Sequence, residues 1–305
     1  HPRRPMLWST ERMRRSDLAE FLKARRAAVS PEDASLAPGS RRRTPGLRRE
    51  EVALLAGVSV SWYTWLEQGR PINASGEVLD AVARVLRLDP VERDHLFALA
   101  GHTTHGVTAT TADVTVPEDL DALLDALEPA PAYVLGPRWE YLAWNRAQAR
   151  LYPAIDALPD DERNLVWSVF ARPEGRALIV DWEDEARRVL SQFRADIAPH
   201  RDDAETVALI ERLRGASPEF DAWWPSHDVA GLTSRRRRFH GPDGVVLPFA
   251  YQVLIAAGTP PGQAKMRVGQ IWQWIYHWGA RDFAQMTNLA KDYRAMLAER
   301  FAIAL

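Results

Sequence analysis

The sequence predicts a mainly α-helical chain with a small β component. Three observations lead there. Apolar residues recur at helical spacing through the first hundred residues, punctuated by serines and glycines. Two short β-rich runs near the middle meet at Gly136–Pro137, and a second pair opens with the arginine run at 235–238. Beyond Gly262 helical spacing returns.

Taken in order, "RRSDLAEFLKARRAA" (14–28) places Leu18, Phe21, Leu22 and Arg25 at helical spacing, with Asp17 in the first turn. A loop rich in Pro, Ser and Gly follows and carries Arg41, Arg42 and Arg43. "LRREEVALLAG" predicts a second helix with Val52, Leu55 and Ala56 on one face, stopped at Gly57. Ser59 caps a third, Val60 to Glu67, which Gly69 and Pro71 end. "ASGEVLDAVARVLRLD" turns Val78, Leu79, Val82, Val85 and Leu86 inward, and "PVERDHLFALAG" opens a fifth helix on Pro90. This domain spans 14–101, and the Thr-rich stretch 102–116 reads as a linker. His102 and His105 have no companion ligands in view, so they read as loop residues.

The next domain, 117–252, predicts a helix in "EDLDALLDAL" and strands in "AYVLG" and "WEYLAWN". Helices follow near 145–152, 160–171, 174–198 and 203–214, then a short one in "SPEFDAWWPSHD". A hairpin of "RRRRFHG" and "GVVLPFAYQV" turns at Asp243–Gly244. The expectation is an α+β domain with one small sheet on one side. Segment 254–305 predicts two or three helices.

With 305 residues, 46% hydrophobic and 26% charged, the chain suits more than one globular core. It has no cysteine, which excludes disulfides, thiol nucleophiles and cysteine-held zinc or iron–sulfur sites, and fits a cytoplasmic location. The longest apolar run, "FAYQVLIAAG", is too short to cross a bilayer, so no membrane partner is expected. No leader is expected, and Met6 and Met13 are candidate starts. The net charge of −2 is uneven: residues 1–50 hold 13 Lys/Arg against 6 Asp/Glu, whereas 51–100 hold 4 against 7. A basic leading segment suits a polyanion, or equally a solvated basic face.

Helix, glycine turn and helix over 48–67 have the spacing of a helix-turn-helix. Tyr63 and Leu66 anchor the second helix against Val52 and Leu55. The base-contacting candidates are Ser59, Val60, Ser61, Trp62, Thr64 and Trp65. Arg41, Arg42, Arg43, Arg48, Arg49 and Arg70 are the phosphate candidates, supplying affinity without sequence information.

"RRRTPGLRREEVALLAGVSVSWYTWLEQGR", with its flanking helices, resembles the Xre-type repressors and, more narrowly, the MmyB-like regulators. The resemblance implies a five-helix DNA-binding domain and a homodimer reading two half-sites of a double-stranded operator. Trp65 stands where these regulators usually have arginine, the commonest reader of guanine. Trp65 either meets thymine methyls or weakens specific binding.

"LLDALEPAPAYVLGPRWEYLAWNRAQARLY", "ERNLVWSVF", "DWEDEARRVLSQFRADIAPH" and "SPEFDAWWPSHDV" resemble the same family's second domain. That implies a PAS-like α+β fold binding a small lipophilic ligand such as a fatty acid. The lining candidates are Tyr133, Trp144, Asn145, Trp167, Trp182, Phe193, Trp224 and His227, with Arg238 as a further polar group. Taken singly, each aromatic reads better as core; taken together, they suit a pocket.

From 254 to 303, "RVGQIWQWIYHWGARDFAQMTNLAK" and its flanks resemble the N-terminal helical domain of the RlmN-type radical-SAM methyltransferases of ribosomal and transfer RNA adenine. Without a cysteine for the cluster, this segment is expected to methylate nothing. The carboxylate-rich "DWEDE" and "PDDER" lie beside arginines, as solvated ion pairs do, and no enzyme, metal or cofactor is expected. The function expected is a cytoplasmic, ligand-controlled repressor. The alternatives are an RNA-associated helical fusion, or a gene join without integrated function.

Overall fold

The computed structural model describes residues 4–36, 46–102, 119–233, 235–241 and 244–251. The arginine triplet 41–43, most of the linker, Asp243 and the segment from 252 onward lie outside the described residues.

Five helices come first: α1 (Arg4–Ala28), α2 (Arg49–Ala56), α3 (Val60–Glu67), α4 (Gly76–Val85) and α5 (Pro90–Leu99). α1 starts earlier than its apolar spacing predicts. Pro5 sits in the first turn, where its missing N–H costs nothing. The caps explain the other boundaries. Ser59 accepts from the Trp62 N–H (3.1 Å), and Ser75 from that of Val78 (3.4 Å). Asp89 and Glu92 form a reciprocal capping box at α5. Leu18, Phe21, Leu22, Leu47, Val52, Tyr63, Leu79, Val82 and Leu96 close one core. Leu55 departs from expectation. Val52 and Ala53 fill the inward face of the short α2, and Leu55 is left 42% exposed.

Next come α6 (Asp119–Ala126), β1 (Tyr133–Leu135), β2 (Tyr141–Trp144) and α7 (Arg146–Leu151). α8 (Leu165–Phe170), α9 (Pro173–Leu178), α10 (Trp182–Asp196), α11 (Ala204–Ala216) and α12 (Pro218–Trp223) follow, then β3 (Arg235–His240) and β4 (Val246–Tyr251). Instead of one small sheet, the described residues form two separate antiparallel pairs, β1–β2 and β3–β4. The late hairpin runs in register from Arg235↔Tyr251 to His240↔Val246.

Two predicted helices are broken. Asn164 divides 160–171, because its carboxamide oxygen accepts from the Val166 and Trp167 N–H groups and starts α8 afresh. The run 174–198 breaks where Ile179 goes extended, at φ −93 and ψ 121.

The chain divides into two compact units. Among the described residues, the first unit holds α1–α5, 137–139 and α8–α12 on to Leu232. The second holds α6, β1, β2, α7 and the β3–β4 hairpin. Within the first unit, the basic α1 is tied to α5 and to the segments before α11 and after α12. Arg25 pairs with Glu92 (2.7 Å) and Asp228 (3.2 Å), Arg201 with Asp17 (2.5 Å) and Arg14 with Asp202 (3.3 Å). His95 of α5 lies buried there, edge-on to Phe21 at 5.0 Å.

Burial holds the His95 imidazole down at about 3, and Arg194, His227 and Arg25 add to it. A histidine kept neutral in the fold is protonated in the unfolded chain below about pH 6.5. Its contribution is therefore intact above that pH and lost as pH falls towards 3, at roughly 1.4 kcal/mol per unit at most. His95→Phe is expected to flatten this acid slope in urea titrations between pH 7 and 4. An unchanged slope would assign the acid sensitivity to other groups.

Candidate functional site

α3 is positioned by one turn and one buried charge. Gly57 takes φ 70, and the N–H groups of Gly57 and Val58 return to Leu54 (3.2 Å) and Ala53 (2.9 Å), closing α2. At the other end Gly69 takes φ 65, and a Cβ there would meet the Arg15 carbonyl oxygen at 2.8 Å, so only glycine lets the chain lie so close to α1. Glu67 is wholly buried. Arg26 of α1 grips it with Nη2–Oε1 at 2.6 Å and Nε–Oε2 at 3.1 Å, and Arg49 of α2 adds Nε at 3.3 Å. Three helices are thus pinned on one carboxylate. Burial, then the Glu67 charge, raise the neighbouring Tyr63 phenol above its ordinary value.

Residue spacing alone passes over Glu67. The available signal is its position four residues after Tyr63, where a charge falls on the inward face.

Of the base-contacting candidates, Ser59, Val60, Ser61 and Trp65 are exposed and Thr64 is half-buried. Trp62 departs from expectation. Four residues before Leu66, it shares the inward side and packs partly buried against the core. Ser59→Ala should cost about 1 kcal/mol through the lost cap. It should leave Trp65 exposed, so thermal unfolding and indole quenching together test it. Of the phosphate candidates, Arg48 and Arg70 are exposed, while Arg49 is held by Glu67 with 42% of its side chain still accessible. His102, read as a loop residue, bonds the Ala74 carbonyl through Nε2 at 2.7 Å.

The ligand candidates fall in both units. In the second, Asn145 is a structural cap. Its oxygen accepts from Ala132 (3.0 Å) and Gln148 (2.9 Å), and its amide donates to Leu124 (3.1 Å) and Ala130 (2.8 Å). No polar atom of that side chain is left for a ligand. Trp144 donates to Asp156 at 2.8 Å, and Tyr133 stands edge-on to Tyr141. Arg238 is exposed on β3, opposite Pro248.

In the first unit, Phe193 is fully buried against Trp139, a core residue. Trp182 donates to the Val169 carbonyl at 2.8 Å and lies under the Arg176 guanidinium, 3.7 Å from its ring centre. Trp224 stacks on Phe220 beneath Arg194 and Arg201. These rings are consumed by arginine–aromatic stacking. His227 is half-buried, with burial and then Arg194 lowering it to about 4, and its carbonyl accepts from Arg25 at 3.0 Å. Trp167 differs. Its indole N–H is buried with no partner among the described residues, and Arg212 lies 4.6 Å from its ring centre. A concavity of about 480 Å³ at α4 and α5 is lined by Ala83 and Leu88 and by four charged residues, Glu77, Asp80, Arg84 and Arg93.

A buried-glutamate helix-turn-helix with an exposed reading helix, joined to a helical sensor body, defines a DNA-binding transcription regulator. Residues 17–96 match a helix-turn-helix domain, and 116–268 match the MmyB-like transcription regulator ligand binding domain. The chain belongs to the MmyB-like transcription regulators.

Residues 252–303 match the ribosomal RNA large subunit methyltransferase N-terminal domain. There the chain is similar to the dual-specificity RNA methyltransferase RlmN of Paracoccus denitrificans, 80% identical over 55 residues, 18% of this chain and 14% of that protein. It is 81% identical to that of Cereibacter sphaeroides over 52 residues, 17% of this chain and 13% of that protein. With the Ruegeria pomeroyi protein it shares 72% over 76 residues, 25% of this chain and 16% of that protein. The chain thus spans only about 13–16% of these curated relatives' length.

Proposed function

We propose that the chain is a repressor that acts as a homodimer in the cytoplasm. It binds a two-fold operator and is released by a small lipophilic ligand such as a fatty acid. The carrying observation is the set of ion pairs that tie α1 to the segments before α11 and after α12. Arg25 reaches Asp228 and the His227 carbonyl, and Arg201 reaches Asp17. A shift of the 224–228 segment would be passed to α1 through these bonds, biasing how the two reading helices are spaced. Trp167 supports the ligand class, since a buried indole donor without a partner would gain a hydrogen bond from a carboxylate, with Arg212 close by. We assign the chain no radical-SAM catalysis, because it has no cysteine to hold the cluster that this chemistry needs.

Fluorescence anisotropy on duplex DNA from upstream of the gene tests this, beside a scrambled duplex and a structured RNA across a salt series. Selective duplex binding, weakened by added fatty acid in the wild type but not in Trp167→Phe, is the expected result. Equal binding to both duplexes would overturn it. The similarity of 252–303 to an RNA methyltransferase domain supports a second reading, RNA association, which tighter binding to the RNA would favour.

A further inference from the structure

Helical phase sorts α3 into two arcs. At about 100° per residue, Trp62, Tyr63, Leu66 and Glu67 share one side, and Val60, Ser61, Thr64, Trp65 and Gln68 the other. The first arc is buried or half-buried. On the second, Val60 and Trp65 are each 43% exposed, Ser61 and Gln68 are exposed, and Thr64 is half-buried. No residue of this outward arc carries a charge. Of the six large hydrophobic residues exposed among the described residues, four (Leu54, Leu55, Val60 and Trp65) lie on the two helices of this motif. Apolar groups held in water on a docking face point to an apolar feature of what docks there.

We infer that the α3 face reads the 5-methyl groups of thymine, so that the base pairs opposite it are A·T. Thymine is the one base that presents an apolar group in the major groove. The Val60 methyls, the Thr64 methyl and the Trp65 indole are its natural partners. The Gln68 carboxamide matches the N6 and N7 of adenine. Guanine is read by a bidentate arginine or lysine, and this arc has neither. Arg70 falls beyond the helix end and is left for phosphates. The inference rests on the DNA-binding reading and names the bases that reading requires.

The test enriches duplexes from a random pool with the full chain, then replaces each thymine of the winning site singly by deoxyuridine. Uracil lacks only the methyl. The expected loss is about fourfold per contacted methyl, the equivalent of ~0.8 kcal/mol per buried CH₂-sized group, with none at thymines outside the footprint. Trp65→Arg alters an exposed side chain, so its circular dichroism should match wild type. It should lose uracil sensitivity at one position and select guanine there. A site bound selectively yet equally well as its uracil form would overturn methyl readout and leave DNA binding standing. A pool from which nothing is enriched would overturn both.

Discussion

Arg26→Met is expected to lower the unfolding free energy by about 3–5 kcal/mol, because it strands a wholly buried carboxylate. Glu67 has no access to water and accepts two bonds from Arg26, at 2.6 and 3.1 Å. Arg26 also donates through Nη1 to the Leu47 carbonyl at 2.7 Å, so the backbone leading into α2 loses a partner as well. Arg49 stays beside the carboxylate at 3.3 Å and should hold the loss to the lower part of that range. Urea unfolding followed by circular dichroism at pH 7 measures it. A second substitution, Glu67→Met, should recover most of the loss, because an apolar pair leaves no charge buried. A loss under about 1 kcal/mol would mean that water screens the pair as it does on a surface. DNA affinity should fall in parallel, since this carboxylate fixes α3 to α1 and α2.

Asp17→Ala is expected to cost about 3 kcal/mol and to divide the unfolding of the first unit into two steps. Arg201 is 7% exposed, its Nε bonds Asp17 at 2.5 Å, and its Nη1 has no partner among the described residues. Losing Asp17 leaves that cation without its counter-charge at the junction of α1 with the sensor helices. Arg25 and Arg14 would still bridge the same junction, through partly exposed pairs that contribute less. Variants that keep only Trp62 and Trp65 of α3, or only Trp223 and Trp224, should then give different indole-fluorescence midpoints in denaturant. Coincident transitions would show that the Asp17–Arg201 pair does not govern how the halves are joined.

Much of the fold is legible in local sequence. Ser59, Ser75 and Asp89 mark the starts of α3, α4 and α5, because an N-cap is a bond made within three residues. Gly57 marks the turn by its φ. The late hairpin follows from β-rich runs around a glycine. The lining candidates were less legible. An aromatic in the sequence looks the same whether it lines a cavity or lies under an arginine. Trp182 and Trp224 are stacked by Arg176, Arg194 and Arg201, and Asn145 is spent on capping.

The sequence by itself determined the helix-turn-helix, its caps and turn, and the apolar character of its outward face, since each depends on residues within one or two helical turns. Only the tertiary structure decided that Glu67 is the anchor of α3, that Trp62 turns inward, and that α1 is ion-paired to Arg201, Asp202 and Asp228 in the segments before α11 and after α12. Those outcomes depend on partners 41 and 203 residues away, as with Arg26–Glu67 and Arg25–Asp228. Periodicity shows which side of a helix is buried, and packing chooses what it is buried against.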